Sequence, residues 1–139
     1  MGDLVNMNSF DKCLFCEKDF YADKTILYEN KFWIVILDSF PCSKGHSLII
    51  PKHHISSFFK IGIEVFSLFT TFKELKKILD ERYSPSGYNI GINDGRDSGQ
   101  TIPHLHIHVI PRYKDDGGLP CGVRNVFPPH IANYIRKEQ

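Results

Sequence analysis

The sequence predicts an α+β domain in which a mainly antiparallel sheet carries one long helix. Two observations predict it. Short runs of aromatic and β-branched residues lie on both sides of one stretch with three- and four-residue apolar periodicity. Gly, Pro, Asn and Asp punctuate the boundaries between these runs. A chain of 139 residues suits one domain with one sizeable core.

Taken in order, residues 1–12 are polar and are expected to fray, so the domain is expected to run from 13 to 139. Residues 25–28 read as a short strand, and Glu29-Asn30 as a turn into 32–37. That second run, FWIVIL, has the composition of a buried strand. A turn around Pro41 to Gly45 leads to a strand at 47–50, stopped by Pro51. From 64 to 83, Val65, Leu68, Phe69, Phe72, Leu75, Ile78 and Leu79 recur along one helical face, about five turns long. Pro85 and Gly87 end it. Residues 88–92 return to strand composition, and a polar glycine-rich loop, NDGRDSGQT, covers 93–101. The last strong strand is 104–110, closed by Pro111. The tail from Lys114 reads as loop, with a short helix at 131–136.

Seventeen Lys and Arg against sixteen Asp and Glu leave a net charge of +1. No strong global field therefore marks nucleic acid or an anionic membrane as a partner. The opening MGDLVNMNSF has neither the basic nor the apolar region of a signal peptide, and no apolar run approaches the ~20 residues of a membrane span. A cytoplasmic location is the expectation. In that compartment the Cys13-Leu14-Phe15-Cys16 pair reads as metal or redox chemistry, with Cys42 and Cys121 as free thiols.

Three of seven histidines fall in the run His104-Leu105-His106-Ile107-His108-Val109-Ile110. In a strand, period two sets the imidazoles on one face, ~6.6 Å apart, with the aliphatic residues on the other. Such a row can meet several phosphate oxygens, or divide its work between a metal and a substrate. An amphipathic strand that happens to hold histidine is the plain rival. Another is a metalloenzyme using these histidines as catalytic zinc or iron ligands. No nearby carboxylate has ligand spacing for it, and the preceding glycine-rich loop suits phosphate better.

The string GQTIPHLHIHVIPR, with NDG before it, resembles the signature of the histidine-triad (HIT) superfamily. LDSFPCSKGHSLIIPKHHI resembles that family's other block, and the likeness runs from about Cys13 to Arg112. It points to a bacterial-type, zinc-containing HIT hydrolase similar to dinucleoside polyphosphate hydrolases, with a HIT-like fold. The resemblance implies a nucleotide hydrolase or transferase that cleaves a phosphoanhydride bond, such as that of diadenosine tetraphosphate. It works through a nucleotidyl-histidine intermediate. A nucleoside phosphoramidate hydrolase and a nucleotide-binding signalling module are the alternatives. The tail LPCGVRNVFPP resembles bacterial members labelled dinucleotide hydrolases, which favours the first.

The same resemblance assigns roles. His106 is the nucleophile, its Nδ1–H held by the backbone carbonyl of His104. Imidazole chemistry agrees, because a largely neutral ring can attack phosphorus without a strong base. His108 binds phosphate oxygens or helps the leaving group, and His46 lines the same site. Asn93 touches the phosphate, Gln100 and Thr101 are further substrate-binding residues leading into the triad, and Gly95 and Gly99 let backbone amides approach the anion. Asp38 clamps the ribose, with Phe15 and Leu37 sandwiching the base. Each has a plainer reading: Asp38 can open the turn before Pro41, and Asn93-Asp94-Gly95 can be only a turn. Arg112 is left outside the site. In zinc-bearing relatives the ligands resemble Cys13, Cys16, His54 and His104, with His53 competing in register with His54. Four protein ligands would make one structural zinc per chain. The family also implies a homodimer whose partner molecule is a small nucleotide, with no nucleic acid and no membrane.

Overall fold

The computed structural model describes residues 13–114, 116 and 122–125. The strands are β1 (Ile26–Glu29), β2 (Trp33–Leu37), β3 (Ser47–Pro51), β4 (Gly87–Gly91) and β5 (Ile107–Arg112), with helix α1 spanning Val65–Tyr83. They form one sheet in the order β1-β2-β3-β5-β4, every pair antiparallel. The α+β expectation holds. The segment 1–12 expected to fray, the short helix expected at 131–136 and Cys121 lie outside the described residues. Among the described residues no helix is long and apolar enough to cross a membrane.

The β1–β2 turn is built by Asn30, whose Oδ1 accepts the N–H groups of Phe32 and Trp33 at 3.0 and 2.9 Å. Its Nδ2 donates to Thr71 Oγ1 on α1, tying the turn to the helix. β2 is buried along four consecutive residues because both sheet faces are covered. Trp33 and Val35 join Ile49, Ile107 and Val109 under α1, while Ile34 and Ile36 join Leu48 and Ile50 on the opposite face with Cys13 and Phe15. Each such aliphatic burial is worth roughly 1.5–3 kcal/mol. The Trp33 indole N–H donates to the Glu64 carbonyl, so the buried ring leaves no polar atom unpaired.

Helix α1 buries Leu68, Thr71, Leu75 and Leu79. Phe69 and Val65, expected on that face, are 72% and 50% exposed. Phe69 follows Leu68 by one residue, about 100° round the helix, and so falls off the narrow stripe that meets the sheet.

The histidine strand also begins and ends later than expected. His104, Leu105 and His106 precede the ladder, and the Leu105 N–H goes to the Ile55 carbonyl instead of a neighbouring strand. Pro111 lies inside β5, opposite Tyr88. The Arg112 carbonyl accepts the Ser86 N–H on the β4 side, so Pro111 faces the other way. There β3 has already ended at the Ser47–Val109 pair, and the Ser43 hydroxyl meets the Pro111 carbonyl. The missing N–H of proline therefore costs no ladder bond.

Candidate active site

Alternation along β5 sends Ile107 and Val109 under α1 and turns His108 to the opposite face, where His106 lies just ahead of it. His106 Nδ1 is 2.9 Å from the His104 carbonyl, both residues buried. A carbonyl can only accept, so Nδ1 carries a proton, and in the uncharged tautomer the lone pair is on Nε2.

His108 is fixed by a longer chain of bonds. The Cys42 backbone N–H donates to His46 Nδ1 at 3.0 Å. That places the His46 proton on Nε2, which stands 2.9 Å from His108 Nδ1 and 3.4 Å from Asp38 Oδ2. His108 Nδ1 therefore accepts, and its own proton lies on Nε2. Burial lowers the pKa of both rings, opposed by the Asp38 carboxylate; for His108 the value falls to about 4, with His106 and His46 adding to the effect. Both rings are neutral near pH 7. The result is a lone pair on His106 beside an N–H on His108, ring centroids 5.2 Å apart.

Donor atoms of Asp38, His46 and His108 lie within 4.8 Å of one another, close enough to suggest a cation. The tautomers oppose it. A metal on His46 Nε2 would drive the proton to Nδ1, where it would face the Cys42 N–H.

The second group, Cys13, Cys16, His54 and His104, has the same compactness and a different chemistry. His104 Nε2 donates to the Pro51 carbonyl at 2.8 Å, leaving Nδ1 as a lone pair 3.4 Å from Cys13 Sγ and 3.5 Å from Cys16 Sγ. Burial holds that ring neutral, its pKa lowered to about 4. Cys16 Sγ lies 3.1 Å from His54 Nδ1. Burial first, and then the neighbouring Cys13, push the Cys16 thiol up to about 11. The Cys16 thiol therefore resists losing its proton until a cation arrives to compensate. Ring orientation set by a carbonyl behind His104 is what a metal-binding histidine needs. His53 is exposed and stacks loosely on Phe32, so His54 is the histidine brought to the cysteines.

A family model of the HIT domain matches residues 20–115. The chain belongs to the HIT family. It is 35% identical over 98 residues to an asymmetrical bis(5'-nucleosyl)-tetraphosphatase of Schizosaccharomyces pombe, covering 70% of this chain and 54% of that protein, about half its length. It is 34% identical over 113 residues to an adenosine 5'-monophosphoramidase of the same yeast, covering 79% and 81%. Among solved structures, a HIT family protein from Bacillus anthracis superposes with a TM-score of 0.70 at 30% identity, covering 93% of this chain and 98% of that one. A zinc-bound histidine triad protein from Mycobacterium smegmatis gives 0.66 at 25%, covering 92% and 98%.

Several residues of this HIT protein sit differently from the expectation. Phe15 is 4% exposed and packs edge-on against His106 and His104, at 5.2 and 5.6 Å between centroids. It walls His106 from behind and has no free face for a base. The Gly95 N–H is taken by Gln100 Oε1, the Gly99 N–H by the Arg96 carbonyl and the Gln100 N–H by the Gly95 carbonyl. The glycines earn their place through φ of +91° and +96°, not through amides offered to an anion. Asp94 accepts the Ser57 hydroxyl and the Phe58 N–H, latching the loop to the segment before α1. Asp38 does open a turn, its Oδ1 accepting the Phe40 N–H at 3.0 Å, while Oδ2 faces His46. Leu37 is half-buried beside it, and Asn93 and Thr101 are exposed at the two ends of the loop. Arg112 forks onto Asp116 and reaches Asn89. Sequence reasoning missed the parts supplied by backbone, namely the Cys42 amide and the Pro51 carbonyl, because no side-chain type advertises them.

Proposed function

We propose that this HIT protein hydrolyses a nucleotide phosphoanhydride, such as that of diadenosine tetraphosphate, through a nucleotidyl-His106 intermediate. The hydrogen bond from His106 Nδ1 to the His104 carbonyl carries the reading, because it leaves Nε2 ready to attack. In the first step Nε2 bonds to the α-phosphorus as the bond to the leaving phosphate oxygen breaks, and the positive charge on the ring is shared through Nδ1–H with the carbonyl. His108 Nε2–H donates to the oxygen on which charge collects. In the second step water attacks phosphorus, the P–N bond breaks, and His106 regains its lone pair as the water proton leaves to solvent. Asp38 Oδ2 is the proposed ribose acceptor, Asn93 and Thr101 the phosphate contacts, and Leu37 the wall for the base.

A phosphoramidase reading has its own support. The phosphoramidase relative is matched over 81% of its length, against 54% for the tetraphosphatase. Comparing kcat/KM across dinucleoside polyphosphates and nucleoside phosphoramidates decides between them. Tight nucleotide binding with no turnover of either class would instead favour a signalling module.

Cys13, Cys16, His54 and His104 are the proposed ligands of one zinc per chain, supported by the donor set and by the zinc-bound relative. A four-ligand protein site stabilises structure and leaves no position for substrate. A homodimer is the proposed assembly, since Phe66 and Phe69 on the outer side of α1 are exposed and would suit a second copy.

A further inference from the structure

We infer that Gln100 is a positioning residue that braces the catalytic loop and is not a ligand of the substrate; the kinetic part of this inference rests on the hydrolase reading above. A primary amide has two N–H donors and one carbonyl acceptor. Gln100 Nε2 donates to the carbonyls of Ser56 and Ile102, both at 3.0 Å, and Oε1 accepts the Gly95 N–H at 2.8 Å. The two carbonyls can only accept and the amide N–H can only donate, so this orientation of the side chain is forced.

The three partners belong to three segments. Gly95 opens the glycine loop, Ser56 stands two residues after His54, and Ile102 stands two residues before His104. Gln100 therefore ties the loop to the same two segments that His54 and His104 bring to the cysteines. Turning its N–H groups toward a phosphate would break all three bonds and leave the part-buried Ser56 and Ile102 carbonyls unpaired, a cost the exposed Gly95 N–H does not share.

The loop is closed by its own backbone as well. The Gly95 carbonyl accepts from the N–H groups of Ser98 and Gln100, and from the Ser98 hydroxyl. The N–H groups of Gly95, Ser98, Gly99 and Gln100 are thus taken up in holding the loop's shape. Gln100 then acts on the reaction through the path it fixes from Thr101 to His104.

The test uses the full chain with Gln100→Ala and Gln100→Glu. Glutamate keeps the length and an acceptor but offers no donor to Ser56 and Ile102. Three readouts are taken: kcat on the best substrate of the panel, affinity for AMP by calorimetry, and the rate of tryptic cleavage after Arg96, which is exposed on the loop. Both variants should lose kcat by about tenfold or more, lose AMP affinity by less than about threefold, and be nicked about tenfold faster. A tenfold loss of AMP affinity with unchanged nicking would overturn the inference, as would full rescue of kcat and nicking by glutamate. A wild-type protein that turns over no nucleotide would sink the hydrolase reading alone, while nicking and AMP affinity would still decide the role of Gln100.

Discussion

The carbonyl oxygen of His104 accepts the Nδ1 proton of His106 at 2.9 Å, while the ring of His104 turns its own Nδ1 toward Cys13 and Cys16. One residue thus faces the cysteine pair with its side chain and His106 with its backbone. Whatever steadies the ring of His104 also steadies the carbonyl that aims His106.

His106→Asn should remove the chemical step while keeping the fold and nucleotide binding. Asparagine retains a donor near the His104 carbonyl but has no lone pair able to attack phosphorus. Turnover should fall by roughly three orders of magnitude or more. Quenched wild-type reactions analysed by mass spectrometry should show a nucleotide adduct on His106. Turnover near the wild-type rate in the variant would sink the assignment.

Asp38→Ala should weaken ribonucleotide binding by roughly 1–3 kcal/mol, through loss of charge-assisted hydrogen bonds to ribose. A 2′,3′-dideoxy nucleotide separates this from the turn that Asp38 also holds through the Phe40 N–H. Wild type should discriminate against the dideoxy ligand and the variant should not. Equal discrimination by both would leave Asp38 a turn residue only.

Much of this site was legible from side-chain type and spacing. The H-x-H-x-H run places Ile107 and Val109 under α1 and His106 and His108 on the opposite face, as period two requires. C-x-x-C and His54 converge on His104 through the resemblance rather than through spacing, since 91 residues separate Cys13 from His104. What escaped was set by tertiary packing. Phe15 looks the same in sequence whether it stacks on a base or on His106, and the amide of Gln100 looks the same whether it meets phosphate or three backbone groups. Pro111 read as a strand stop because a linear reading cannot see that β3 ends before reaching it.

The tautomer chain gives a pH prediction. Burial lowers the His108 pKa from 6.5 to about 4 in the fold, so below pH 6.5 the unfolded chain takes up a proton that the folded one refuses. This contribution to stability is present above pH 6.5 and is lost as pH falls toward 4. Long-range nitrogen–proton NMR should show His108 as the Nε2–H tautomer at pH 7, with no titration until about pH 4. A His108 that titrates near 6.5, or carries its proton on Nδ1, would break the proposed chain from Cys42 through His46.

The metal prediction follows from the geometry of His104. Purified protein should carry about one zinc per chain, and Cys13→Ser, Cys16→Ser and His54→Ala should each lower that content. All four donors come from protein, so zinc should act on stability before it acts on rate. Chelation should first lower the melting temperature, and turnover should fail only as the His104 carbonyl loses its aim on His106. The residual folded fraction of Cys16→Ser should keep measurable turnover. Phe15 supplies a second readout, because this residue between the two cysteines packs on the His106 ring at 5.2 Å. Ring-current shifts of the His106 protons should therefore change on metal removal, whether or not substrate is present. Metal-free protein obtained without chelators would remove zinc from the account. Complete loss of rate on chelation, with melting temperature and His106 shifts unchanged, would mean that the metal acts on the substrate, and the four-ligand assignment would fall.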